Sequence, residues 1–135
     1  MSKTLNDKIS EFVVRAKEDK TFTGEIVIGV VSASLAKQIK EAVGLRVKEG
    51  AEMFIDAHHV RHICNNPNKA NINPKDFLFV ADVVKHAQVI RKGNQPKRIC
   101  FEKRIVYDYT CIEAVVSKGN RLQLKTMWVK RKGKK

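Results

Sequence analysis

No stretch of this chain approaches the roughly 18 consecutive apolar residues that a membrane-spanning helix requires, so no membrane role is expected. The opening MSKTLNDKIS has no apolar core of the kind a secretory signal carries. Cysteine is scarce: Cys64, Cys100 and Cys111 are odd in number, widely spaced and without a C-x-x-C. That pattern argues against a zinc ribbon or a disulfide framework. It predicts free, mostly buried thiols in a reducing compartment, with a cytoplasmic location expected. A P-loop, G-x-G-x-x-G, G-x-S-x-G and any defensible pair of carboxylates are also missing, which places nucleotide hydrolases and proteases low. Neither a cofactor nor a metal is expected.

What is present fits one ordinary domain. The chain has 135 residues, 43% of them hydrophobic and 30% charged, enough to bury one core and too apolar for disorder. We therefore read residues 1–135 as a single domain: an N-terminal support over 1–50, a main region over 51–130 and a basic tail over 131–135. The net charge of +13 is unevenly spread. Residues 1–84 carry 12 Lys+Arg against 11 Asp+Glu, whereas residues 85–135 carry 15 against 3. The tail KRKGKK accounts for only part of this, because Arg91, Lys92, Lys97, Arg98, Lys103, Arg104, Lys118, Arg121 and Lys125 lie inside the patterned region. A positive field confined to one part of a small domain steers anionic partners, nucleic acid first among them.

Periodicity predicts an α+β fold. Leu5, Ile9, Phe12, Val13 and Ala16 mark a helix over 4–18, with Thr4 or Ser2 as its cap. EIVIGVV (25–31) reads as a short buried strand, followed by a helix that Ser32 or Ser34 caps and Gly44 ends. EMFIDA (52–57) reads as a second short strand, and Asp56 can cap a helix carrying HHVRHI. Asn73-Pro74 opens a further helix with Phe77, Val80, Ala81 and Val84 on one face. Beyond His86, β-branched and aromatic runs separated by Gly93-Asn94 and Lys118-Gly119-Asn120 predict a meander. The expectation is thus N-terminal helices and short strands packed on a C-terminal antiparallel sheet of about four strands. In the last strand, regular alternation puts Leu122, Leu124, Thr126 and Trp128 on one face and Arg121, Gln123, Lys125 and Met127 on the other.

Two groups of residues could carry chemistry. On a helix, Ala57, Val60, Ile63 and Cys64 form an apolar stripe, His58 and His62 fall almost opposite it, and His59 lies on its flank. Three readings are compatible with these histidines: surface groups without a role, general acid/base groups near their ordinary pKa, and metal ligation through the i, i+4 pair His58/His62. The last lacks both the glutamate of H-E-x-x-H and a third ligand at a recognisable interval. The second group is the basic strand region, where Tyr107, Tyr109 and Trp128 stand among cations. There they are either core residues or platforms on which bases stack. With His58 and Arg61, the cations Arg98, Arg121 and Lys125 are candidate RNA contacts.

From about residue 53 onward the chain resembles the phage-associated branch of the barnase/EndoU/colicin/RelE-like RNase superfamily. The resemblance rests on MFIDA, on the H-x-x-H-I of His59 and His62, on PKDFLFVADVVKH with its following QVI, and on a strand run ending in L-x-L-K-T-M-W. It implies helices on a four-stranded antiparallel sheet and a metal-independent RNase with a helix-borne His, a basic residue and a strand-borne hydroxyl. By position, it makes His59 or His62 the acid/base, Thr126 the hydroxyl, and Arg104 or Arg121 the phosphate partner. RNA is the implied substrate, and an inhibitor or antitoxin protein a possible partner. The alternatives are a non-catalytic nucleic-acid-binding or phage accessory protein with a degenerate nuclease fold, and an adaptor for an acidic protein.

Overall fold

The computed structural model describes residues 4–66, 72–93, 95, 97–105, 108–117 and 121–130. Local chemistry sets the helices. Helix α1 (Leu5–Glu18) starts at a capping box: the Asp7 N–H donates to Thr4 Oγ1 at 3.1 Å and the Thr4 N–H to Asp7 Oδ2 at 3.3 Å. It buries Ile9, Val13 and Ala16, one stripe of its surface. Helix α2 (Ala33–Val43) is capped by Ser32, whose hydroxyl accepts from the Leu35 N–H, and ends at Gly44 with φ 76°. Glycine takes that left-handed conformation without steric cost. Helix α3 (Ala57–Cys64) starts at Asp56 and buries Ala57, Val60 and Ile63.

The segment after Asn73 departs from the single helix expected. Residues Pro74–Phe79 form a 3-10 helix that runs into α4 (Val80–Lys85). With about three residues per turn in the first part, Phe77 falls above Val80 and Val83. Phe77, Val80, Val83 and Val84 are therefore buried, while Ala81 is only partly so.

The strands are β1 (Glu25–Val30), β2 (Glu52–Asp56), β3 (Val89–Lys92), β4 (Arg98–Ile105), β5 (Asp108–Ser117) and β6 (Arg121–Lys130). Strands β3 to β6 form the expected antiparallel meander. The sheet, however, has six strands in the order β1-β2-β6-β5-β4-β3, and it is mixed because β2 runs parallel to β6. The two N-terminal strands are members of this sheet: β1 pairs with β2, and β2 with β6 some 70 residues along the chain. Strand β1 is an edge and is not buried: Val27 and Val30 are exposed, and Ile28 alone of its residues is buried. The turns expected at Asn94 and at 118–120, with Tyr107 and the 131–135 tail, fall outside the described residues.

A second departure lies in β6. Glu113 of β5 pairs with Thr126 and Ala114 with Leu124, so Lys125 is an extra residue, a β-bulge. Alternation shifts by one at that point. Leu122, Leu124, Met127 and Val129 all face the core, and Met127 is fully buried. Thr126 and Trp128, expected beside the leucines, face the other way with Gln123 and Lys130.

The inner face, against the helices, carries Met53, Ile99, Phe101, Ile112, Ala114, Leu122, Leu124, Met127 and Val129. Helix α3 packs on β2 and β6, and α4 on β4 and β5. These side chains join those of α1 to α4 in one apolar cluster. Burying each large member contributes about 1.5–3 kcal/mol before entropy. Among the described residues no helix is long and apolar enough to cross a membrane.

Candidate active site

The outer face of the sheet is built differently, and one part of it gathers a carboxylate, an imidazole and an amide. Asp56 ends β2 and caps α3. One carboxylate oxygen accepts the His59 backbone N–H at 3.3 Å, and both lie close to the His59 ring, with Nδ1 at 2.8 Å from Oδ1 and 2.9 Å from Oδ2. Gln123, on the outer face of β6, donates its amide to Oδ1 at 3.1 Å. Burial pushes the Asp56 carboxyl up, but the hydrogen bonds from His59 and Gln123 outweigh it and hold the group below its ordinary value. An ionised carboxylate only accepts, so Nδ1 of His59 carries the proton. In the neutral ring Nε2 is then left with its lone pair, the form a general base needs. Both side chains are mostly covered, 20% and 18% exposed.

The three histidines are therefore not equivalent. His58 and His62 are exposed and stack at 18° with ring centroids 6.4 Å apart, while His58 meets His59 edge-on at 5.1 Å. His62 lies one turn further along, beside a shallow depression bordered by Arg61, Asn65 and Asn66. Among the described residues no three His, Cys, Asp or Glu side chains are gathered as for a metal ion.

The cations divide as sharply. Arg61 points away from the sheet: its guanidinium donates to the carbonyls of Ala16, Asp19 and Phe22 at 2.8–3.0 Å, clamping the end of α1. Arg98 is paired at 2.7 Å with Glu113, a buried carboxylate on the outer face. Arg121 binds Glu25 and Glu52 across the sheet and covers the Phe54 ring at 3.9 Å. Arg91 binds Glu102, which also accepts from the Tyr109 hydroxyl at 2.7 Å. Arg104 is exposed opposite Tyr109, on a strand separated from β2 by β6 and β5. Lys92, Lys97, Arg104, Lys125 and Lys130 have no ion pair among the described residues.

Register places the remaining candidates. Phe54 lies beside Gln123 and Thr126 opposite Glu113, so beyond the inward Leu124 the bulge residues Lys125 and Thr126 come next after Gln123, the residue that holds Asp56. Neighbouring strands lie about 4.8 Å apart, which puts the Thr126 backbone within a strand or two of the Asp56–His59 pair. Trp128 is next along the same face, 37% exposed. All three thiols are free. Burial, then the neighbouring Cys100, pushes Cys111 up to about 12, so it stays a neutral core group. Sequence reasoning named His59 and Thr126 as candidates, took Asp56 only as a cap and did not name Gln123. An N-cap Asp followed three residues later by His was the available signal, because that spacing lets one carboxylate meet both the N3 amide and the N3 ring.

Comparison with known proteins matches residues 29–135 to the family described as phage-Barnase-EndoU-ColicinE5/D-RelE like nuclease3. The match takes in most of the chain, including α2 and every strand from β2 onward, and the chain belongs to that family. No curated protein and no solved structure matches it.

Proposed function

We propose that this member of the phage-associated nuclease family is an endoribonuclease that cleaves RNA by general acid/base catalysis without a metal. The observation that carries the reading is the Asp56–His59 pair, tied by Gln123 to the strand that also carries Thr126. His59 Nε2 takes the proton of a substrate 2′-hydroxyl. The 2′-oxygen attacks the adjacent phosphorus, the bond to the 5′-oxygen breaks, and that oxygen takes up a proton from His58, the nearest second imidazole. The products are a 2′,3′-cyclic phosphate and a 5′-hydroxyl. Asp56 keeps the His59 tautomer and stabilises the imidazolium as it forms, the role a carboxylate plays beside any catalytic imidazole.

Negative charge grows on the phosphate in the transition state and needs a donor that is not already spent. Arg121 and Arg98 are held by carboxylates, and Arg104 lies on β4, two strands beyond β6. Lys125, with the Thr126 hydroxyl beside it, is the cation best supported for that role. His62, stacked on the solvent side of His58, is then an accessory substrate contact rather than the base.

The test is cleavage of a labelled RNA pool by the pure protein in EDTA. His59→Ala is expected to lower the rate by roughly 10²–10⁴, Asp56→Asn by less, and His62→Ala only slightly. Activity that requires a divalent metal, or an undiminished His59→Ala variant, would overturn the reading. Salt-sensitive binding without cleavage would instead assign the chain to non-catalytic nucleic-acid binding. Such an enzyme would need a neutralising inhibitor in the cell that makes it, and yields of active protein well below those of His59→Ala would support that partner.

A further inference from the structure

The bulge at Lys125 has an outcome that packing alone does not favour. Without it, alternation from Leu122 and Leu124 would carry Trp128 into the core. With it, Met127 is fully buried and Trp128 is 37% exposed. The side chain with more to gain from leaving water is the one turned toward it, and the ladder is interrupted where the extra residue stands. Other exposed large apolar residues are scattered over α1, the two edge strands and the 3-10 helix. Trp128 alone among them stands in the interior of the sheet, on the strand and face that hold Gln123 and Thr126.

Its surroundings suit a nucleobase. Along the outer face of β6 the order is Gln123, the Lys125–Thr126 pair, Trp128 and Lys130, with Tyr109 opposite Lys130 and Arg104 opposite Tyr109. Same-face positions recur about every 6.7 Å, comparable to the step between nucleotides of an extended strand. Its cross-strand partner Cys111, beside it on the same face, is almost inaccessible, so the surface next to the ring is closed rather than a gap.

We propose that Trp128 is a stacking platform for the nucleobase next to the scissile phosphate, and that the substrate is therefore single-stranded RNA. This rests on the ribonuclease reading above. A duplex keeps its base faces stacked on each other and cannot present one to the indole, whereas an unpaired base can. The bulge serves both subsites at once: it turns Thr126 and Lys125 toward the phosphate and Trp128 toward the base.

Trp128 is the one tryptophan of the chain, so its fluorescence reports the contact directly. The protein is titrated with an end-labelled 2′-O-methyl oligonucleotide, single-stranded or duplex, that cannot be cleaved. Label anisotropy follows binding and indole emission follows stacking. We expect emission to be quenched in step with binding of the single strand and far less by the duplex. Trp128→Ala should weaken single-strand binding about tenfold or more and raise KM with kcat retained, while Trp128→Phe keeps most of both and both variants melt close to wild type. Binding with unchanged emission, equal quenching by the duplex, or no binding at all would overturn the proposal. Quenching without any cleavage of RNA would leave the platform standing and count against the nuclease reading alone.

Discussion

The two faces of this sheet are made from the same strands and hold together by different physics. The inner face is mostly apolar: Ile99, Phe101, Ile112 and Met127 are fully buried against the helices, with buried Thr110 and the Lys103–Asp82 pair toward one end. The outer face is a mosaic of charge pairs: Arg98 with Glu113, Arg91 with Glu102 and Tyr109, Arg121 with Glu25 and Glu52, and Asp56 with His59 and Gln123. The inner face supplies stability without directionality. The outer face spends much of its charge on orienting itself, and Lys125, Thr126, the partly exposed Trp128 ring and the Nε2 edge of His59 mark where a ligand can be met.

Truncating the inner face should cost most. Phe101→Ala removes a fully buried ring and is expected to destabilise the protein by about 3–5 kcal/mol, measurable by denaturant unfolding at neutral pH. A loss under 1 kcal/mol would mean that the helices do not bear on β4 as described. On the outer face Arg98→Ala removes the guanidinium from the buried Glu113 carboxylate. Removing one partner of a fully buried pair costs about 3–5 kcal/mol, and since Arg98 is itself about a quarter exposed, about 2 kcal/mol is the reasonable expectation. Glu113→Gln in the Arg98→Ala background should recover part of it. If Arg98→Ala is neutral, the outer pairs contribute nothing and the comparison between the faces sharpens further.

The smallest effect is the most diagnostic. Asp56 is held below its ordinary pKa in the folded protein, so its contribution is complete above the unfolded value of about 3.9 and disappears as pH falls through the folded one. Asp56→Asn keeps a capping oxygen but loses the charged acceptor of His59 and Gln123, and should cost about 1 kcal/mol at pH 7. The difference in stability between the variant and wild type should shrink as pH drops below about 4. A difference that stays constant from pH 7 to pH 3 would show that the carboxylate is not charged against His59.

Much of this could be read from the chain, and the failures share one cause. Thr4, Ser32, Asp56 and Gly44 mark helix ends because capping is settled within three or four residues. The His58/His59/His62 arrangement follows from helical rotation alone. The free thiols and the antiparallel meander were equally legible. Sequence reading failed where distant segments meet: β2 joining β6 in parallel, β1 at the edge, the 3-10 start of the helix after Asn73, and the bulge that reverses Thr126, Met127 and Trp128. Arg61 and Arg121 looked like nucleic-acid contacts because local sequence does not disclose the carbonyls of α1 or the carboxylates of β1 and β2 that occupy them.

By itself, then, the sequence determined the α+β character, the caps, the three-histidine helix and the excess of positive charge beyond residue 84, because each depends on neighbours within a turn or a strand. Tertiary structure decided which histidine faces a carboxylate, which cations remain unpaired and which face Trp128 takes. Those outcomes depend on register between strands up to about 70 residues apart, and a single extra residue in a period-two element turns everything after it to the opposite side.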